Sequence, residues 1–431
     1  MCLRNRFGLI FAFGLVLIFM APVAASESCD SASFADLMIE GARMFGATSS
    51  DTAIGISGDR ICTVGSPSPQ PIAEVTIDAG GFTVLPGLID SHVHLFPMGS
   101  SAGIDNDAAL EKFIRDKLPL RLRDYLERGV TTVFSVGDAW PAVRDLRQRL
   151  DAGEISGPRL FMTGPILTAP GGYPAATICA GSSWCRSRLT VELRDETHAR
   201  RTVIELAAAG VDAIKVVYDD ARAEKLDLNL IRIVTGEAHA LGLPVVVHTT
   251  KVPDALEVAE LGADVLAHLP SGGVIDRDSA TQLQQRGVII LSTAGVYAPV
   301  RGTGGEQRTV YGLRYGPPFD RFHAQGLTNA RALMEQGVPL AFGSGTAMFV
   351  PSKSLDGELA ALSQVPFTPS QLIDAMTINA ARALGKEADL GRINVGNRAD
   401  LVLVNTSSDH DIASADVVMV IKDGRIVVDR R

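Results

Sequence analysis

Positive charge is in short supply in this chain. Forty lysines and arginines face 49 aspartates and glutamates, a formal balance of −9. A surface of that sign repels phosphate backbones and anionic lipid, so neither nucleic acid nor an anionic membrane is an expected partner. Cysteine is scarce too, with five in 431 residues, and no pair of them has the spacing of a structural zinc site. There is no low-complexity tract, no glycine-rich phosphate loop and no Gly-x-Ser-x-Gly elbow. Kinase-like and serine-hydrolase chemistry therefore lack their usual signatures.

What is present begins with a short apolar stretch. Arg4 and Arg6 precede an apolar run from Phe7 to Met20, and the small residues of Pro22-Val23-Ala24-Ala25 follow. The run is shorter than the roughly 20 residues of a bilayer span, and Pro22 interrupts it. The expectation is a secretory signal over residues 1–25, cleaved after Ala25, rather than a membrane anchor. The mature chain is then periplasmic or secreted with no membrane attachment, and losing Arg4 and Arg6 takes its charge from −9 to −11. No cysteine marks the cleavage point for lipidation. Cys2 leaves with the signal, and Cys29, Cys62, Cys179 and Cys185 enter an oxidising compartment as an even set. The expected bridges are Cys179 to Cys185, clipping a loop, and Cys29 to Cys62, pinning the N-terminus.

Between Thr131 and Ser344 one pattern recurs: an amphipathic helical stretch, a capping glycine, then a run of apolar, largely β-branched residues. The glycines are Gly129, Gly210, Gly242, Gly262, Gly287 and Gly337. With a strand ending at His92 and another over Arg159–Thr163, eight buried parallel strands are expected. The fold class is α/β, and the count fits a (β/α)8 barrel better than a doubly wound sheet. Residues 36–80 and 399–430 instead read as short strands and turns. Ser57-Gly58-Asp59-Arg60-Ile61 and Lys422-Asp423-Gly424-Arg425-Ile426 are hairpin signals, so both chain ends can pair into one small β-domain.

The chemistry-bearing residues sit where the strands end. His92 and His94 are two apart at the end of an apolar run and share one strand face. Lys215, His248 and His268 end later runs, and the last run ends in Gly345. In a barrel these ends converge on one mouth. Imidazoles suit zinc and similar divalent ions, with one or two per chain expected, and an open coordination position activates water. Lys215 can ligate only when deprotonated or converted to a carbamate. The plainer alternatives are structural histidines, and a Lys215 paired with Asp219 or Asp220. Asp90 reads as a supporting acid beside the histidine pair, while His198, His239, His323 and His410 read as solvated. The loop carrying Tyr297, Arg301, Arg308, Tyr311, Arg314 and Tyr315 is either a clamp for a substrate carboxylate or an ordinary exposed loop.

Leu85-Pro86-Gly87-Leu88-Ile89-Asp90-Ser91-His92-Val93-His94 resembles the first-strand signature of the amidohydrolase superfamily. Ala213-Ile214-Lys215-Val216, Ile378-Asn379-Ala380-Ala381-Arg382 and Gly396-Asn397-Arg398-Ala399-Asp400-Leu401 extend the likeness, which runs from about residue 36 to the C-terminus. It is similar above all to the imidazolonepropionase-like and Xaa-Pro dipeptidase-like members. The resemblance implies a β-sandwich formed by residues 26–85 and 386–431, a barrel over 86–385, and a binuclear site. In that site His92 and His94 hold one ion, His248 and His268 the other, and carboxylated Lys215 bridges them. The implied activity is hydrolysis of an amide bond in a small peptide, N-acyl amino acid or cyclic amide. The same site could serve a lactone or phosphoester.

Two positions depart from the pattern. Similar proteins end the eighth strand in an aspartate that binds metal and moves the proton; here Gly345 takes its place, with Asp356 the nearest following carboxylate. A weakened or non-catalytic, ligand-binding relative is the alternative this implies. Gly171-Gly172-Tyr173 stands where relatives often carry Gly-Gly-His, which makes Tyr173 a candidate substrate contact of altered kind.

Overall fold

The computed structural model describes residues 34–48, 52–65, 71–99, 103–220, 223–301, 307–309, 318–346 and 350–431. The signal reading of residues 1–25 lies outside them, and so does Cys29 of the expected bridge to Cys62.

Eight barrel strands follow one another in parallel. The first is Leu88–Val93 and the second Val130–Ser135. The third has two legs, Arg159–Met162 and Ile166–Thr168. The fourth to eighth are Ile214–Val217, Val245–His248, Val265–Ala267, Ile289–Leu291 and Leu340–Ala341. The third strand's first leg pairs with the second strand and its second leg with the fourth. Ser91 N–H donates to Phe342 O, Gly345 N–H to His92 O and His94 N–H to Thr346 O, while Val93 bridges Thr346. These contacts join the eighth strand to the first. The fourth and fifth strands are buried along their whole length, which is why their residues read as continuous apolar runs rather than alternating ones.

The six glycines ahead of the strands all have φ between +71° and +92°, the left-handed turn that ends a helix and that a side chain disfavours. Inside the barrel Ile89, Phe134, Val246, Val265, Leu291 and Ala341 form one apolar cluster. The helix Ile378–Ala383 packs Ala380, Ala381 and Ala383 against it, which accounts for the small residues of that motif.

Strands from both chain ends form a single eight-stranded sheet beside the barrel. Its central strand, Phe34–Met44, is bulged between Ile39 and Ala42; one edge pairs with Thr52–Ser57 throughout, and the other with Ile72–Asp78 before the bulge and Thr83–Pro86 after it. Both hairpins form, with Ser57 opposite Arg60 and Lys422 opposite Arg425. Arg159 at the start of the third barrel strand binds Asp400, at 2.6 Å, and Asp423 of the second hairpin, so an ion cluster with Asp400 buried and the other two partly buried docks the sheet on the barrel.

The loop after the third strand carries the expected Cys179–Cys185 disulfide.

Candidate metal centre

The barrel brings five of the residues singled out above to one mouth. His92 lies within the first strand and is 2% exposed; His94 stands one residue past that strand's end. Lys215, also 2% exposed, is the second residue of the fourth strand rather than its last. His248 ends the fifth strand, next to Val217 and Ala267 in parallel register, and His268 follows the sixth. Ring centroids are 5.3 Å apart for His92 and His94, 4.8 Å for His92 and His268, and 4.5 Å for His248 and His268. Gly343 lets the eighth strand pass this close, since a Cβ there would lie 2.6 Å from His92 Cβ.

Two of the four imidazoles are tethered through one nitrogen: His94 Nδ1 lies 2.6 Å from Gly137 O and His268 Nδ1 2.6 Å from Thr293 Oγ1. His248 Nε2 lies 3.9 Å from Asp219, beyond hydrogen-bond reach. The opposite nitrogens, His268 Nε2 and His248 Nδ1, face each other at 2.9 Å. Among the described residues no three His, Cys, Asp or Glu side chains form a ready-made cation cage; the two facing nitrogens are hydrogen-bonded to one another instead. Yet His92 Nδ1 and Lys215 Nζ are buried with no hydrogen-bond partner at all. An unsatisfied buried polar atom is costly, and two at one place call for a group that satisfies them.

Electrostatics make the same cluster a set of lone-pair donors. Burial, then the neighbouring cationic groups, holds His92 and His268 well below the ordinary histidine range. Burial lowers His94 to about 4 and His248 to about 3. Lys215 falls to about 7 by burial alone. It makes no bond to Asp219 or Asp220: Thr250 Oγ1 donates to Asp219, and Lys251 pairs with Asp220. Neutral imidazoles and a near-neutral amine without acid partners fit a divalent cation in chemical type.

Three buried carboxyls surround the cluster, each pushed up to about 7 mainly by burial. Asp90 accepts from Ser344 N–H at 2.8 Å and from His92 N–H at 3.3 Å, which makes it a support for the first and eighth strand ends. Asp138 accepts from Leu95 N–H, Phe96 N–H and Ser135 Oγ, fixing the chain immediately after His94. Glu358 lies on the helix Pro351–Leu362 and binds the turn after the seventh strand. Sequence reasoning missed the last two. Asp138 follows a strand end by three residues, and Glu358 interrupts the apolar stripe of Leu355 and Leu362, so both left a signal.

The remaining sequence candidates find their places. Asp356 does not approach the site: its side chain is 55% exposed and pairs with Arg128 at 2.9 Å. His323 is buried, not solvated, and its Nδ1 lies 3.1 Å from Ala294 O. Gly345 has φ +60° and donates its N–H to His92 O at 2.8 Å, so no side chain enters from the eighth strand at that point.

At the rim Tyr173 stacks on His248 at 4.9 Å, and Tyr297 stands edge-on to His268 at 6.0 Å with Phe322 behind it. Arg301 and Arg308 fall on two short antiparallel strands, Pro299–Arg301 and Gln307–Thr309, and their guanidinium groups lie outside the described part of the structure. So do Tyr311, Arg314 and Tyr315.

The Amidohydrolase family matches residues 83–427. The chain is 27% identical over 391 residues to an imidazolonepropionase of Geobacillus thermodenitrificans, covering 82% of each protein. It is 24% identical over 390 residues to a 5-methylthioadenosine/S-adenosylhomocysteine deaminase of Moorella thermoacetica, covering 84% of this chain and 83% of that one. In fold it is similar to a Xaa-Pro dipeptidase solved with methionine in its active site, with a TM-score of 0.74, 22% identity, and coverage of 91% of this chain and 99% of that one. The chain belongs to the amidohydrolase family, whose members generally bind divalent metal ions and hydrolyse carbon–nitrogen bonds.

Proposed function

We propose that this protein is a periplasmic or secreted metal-dependent amidohydrolase that cleaves an amide bond in a small peptide, N-acyl amino acid or cyclic amide. The observation that carries the reading is the meeting of four neutral imidazoles and an unpartnered Lys215 at one barrel mouth. His92, His94, His248 and His268 would hold one or two divalent ions of the zinc type, with Lys215, as its N6-carboxylate, the further ligand. Its low proton affinity supports that role, since only the neutral amine adds carbon dioxide. The chemistry supplied by bound divalent cations is polarisation of the scissile carbonyl and activation of water at neutral pH.

The chain's own residues orient and enclose. The Gly137 carbonyl and Thr293 hydroxyl hold His94 and His268 by one nitrogen each. Tyr173 and Tyr297 wall the mouth on the side of His248 and His268, where the group flanking the amide is held. The dipeptidase and imidazolonepropionase likenesses support a small amide substrate. Hydrolysis of a dipeptide, N-acyl amino acid and cyclic amide panel by the mature chain is expected, with loss on chelation and in His92→Ala. Turnover that survives both refutes the reading.

Gly345 favours a second reading, a site weakened in catalysis and retained for ligand binding. Losing a proton-transfer group costs roughly 10²–10⁴-fold in rate. Efficient turnover by the natural protein refutes it.

A further inference from the structure

The turn Ser292–Gly295, after the seventh barrel strand, carries backbone strain that the hydrolytic reading leaves unused. Thr293 is fully buried with φ +42°, and His268, whose Nδ1 meets its hydroxyl, has φ +80°. A left-handed conformation costs a non-glycine residue roughly 1–2 kcal/mol, and it persists only where the surroundings over-determine it. Here the turn is gripped from two sides. Ser292 Oγ donates to Glu358 Oε1 at 2.5 Å, and Gly295 N–H donates to Oε2 at 2.6 Å. From the helix Pro318–Glu335, His323 Nδ1 meets Ala294 O at 3.1 Å. Gly295 presses directly on the helix bearing Glu358: a Cβ there would lie 2.6 Å from the backbone of Gly357 and Glu358.

Glu358 is an expensive residue to place there. It has no measurable exposure and no ion-pair partner among the described residues, and burial pushes its carboxyl up to about 7. The helix Pro351–Leu362 gains nothing from it in propensity or apolar packing that leucine or alanine would not supply. Its hydrogen bonds are the return on that cost, and they go to the turn that orients His268.

From this geometry we infer that Glu358 is a positioning residue for the metal centre: by fixing the Ser292–Gly295 turn it holds Thr293 Oγ1 against His268 Nδ1, keeping His268 Nε2 turned toward His248. The inference rests on the metal-centre reading above. It assigns Glu358 no contact with substrate.

The test is zinc affinity, measured by competition with a chromophoric chelator on the mature chain, with thermal midpoints recorded alongside. Thr293→Val keeps the shape and loses the hydroxyl, and Glu358→Ala loses the grip. Each is expected to weaken the more weakly held ion about 10- to 100-fold. The double variant should be no weaker than the worse single one, because both act through one path. Thr293→Ser and Glu358→Gln, which keep the hydroxyl and both turn contacts, should bind nearly as the natural chain does. If Glu358→Ala does not fold, the Thr293→Val and Thr293→Ser pair still decides whether the hydroxyl orients the ligand. Unchanged zinc affinity in Thr293→Val overturns this inference alone, as do multiplying effects in the double variant. A natural chain that takes up no zinc overturns the metal reading with it, whereas one that binds zinc normally yet hydrolyses nothing overturns only the proposed activity.

Discussion

Gly345→Asp is the most informative single change to this protein. Gly345 lies one residue before the bridge between the eighth and first strands, and its N–H binds the carbonyl of His92, so the substitution falls next to the histidine cluster in the chain's backbone pairing. The backbone there has φ +60°, which aspartate tolerates better than most residues. The strain should cost about 1 kcal/mol, read as a lower urea midpoint at unchanged slope. Against it stands the return of a proton-transfer group worth roughly 10²–10⁴-fold, or about 3–5 kcal/mol of barrier. The strain is read in unfolding and the gain in rate, so a folded variant shows the rate effect in full. The assay is kcat/KM on the dipeptide and cyclic-amide panel with zinc present, alongside Gly345→Asn, which carries the same backbone cost without the carboxylate. Aspartate should exceed both asparagine and the natural glycine by at least about 10²-fold. Equal rates in all three, with equal zinc content, refute the argument that the missing carboxylate limits this site.

Asp138→Ala leaves Leu95 N–H, Phe96 N–H and Ser135 Oγ without their acceptor. At about 1–3 kcal/mol per orphaned group, offset by relief of the carboxyl's own burial, a net loss near 3 kcal/mol is expected in urea unfolding; a loss below about 1 kcal/mol contradicts the assignment. Gly343→Ala places a methyl against His92, so zinc affinity should fall while the far-UV circular dichroism stays native, and retained affinity would show that the strands simply part. Lys215 predicts a pH effect in the metal-free protein. Its proton affinity falls from the ordinary 10.5 to about 7 on folding, so between those values the unfolded chain binds more protons and stability climbs as pH rises. Lys215→Met should flatten that climb and raise stability at pH 7, and an unchanged slope in urea midpoints would count against a buried, unpaired lysine.

Much of the barrel was legible because its signals are local. Buried parallel strands read as short β-branched runs, and a left-handed helix cap needs glycine, as at Gly129 and Gly337. The pairing of both chain ends followed from two hairpin turns. That the His92 and His94 rings lie side by side followed from their spacing of two at a strand end. What sequence could not supply was which nitrogen of each imidazole is tethered, since Gly137 and Thr293 reach their histidines across loops. Glu358 was hidden for a related reason: its partners lie 63 and 66 positions away on another element. Asp356, nearer in sequence to Gly345, faces Arg128 because helical geometry turns residues two apart to different sides.

The account stands on the claim that His92, His94, Lys215, His248 and His268 form a metal centre. Elemental analysis of the mature protein, exported from cells supplied with zinc and purified without chelator, tests it most directly. The account predicts about two ions per chain, falling to about one or fewer in His92→Ala. A folded natural protein that carries none contradicts it.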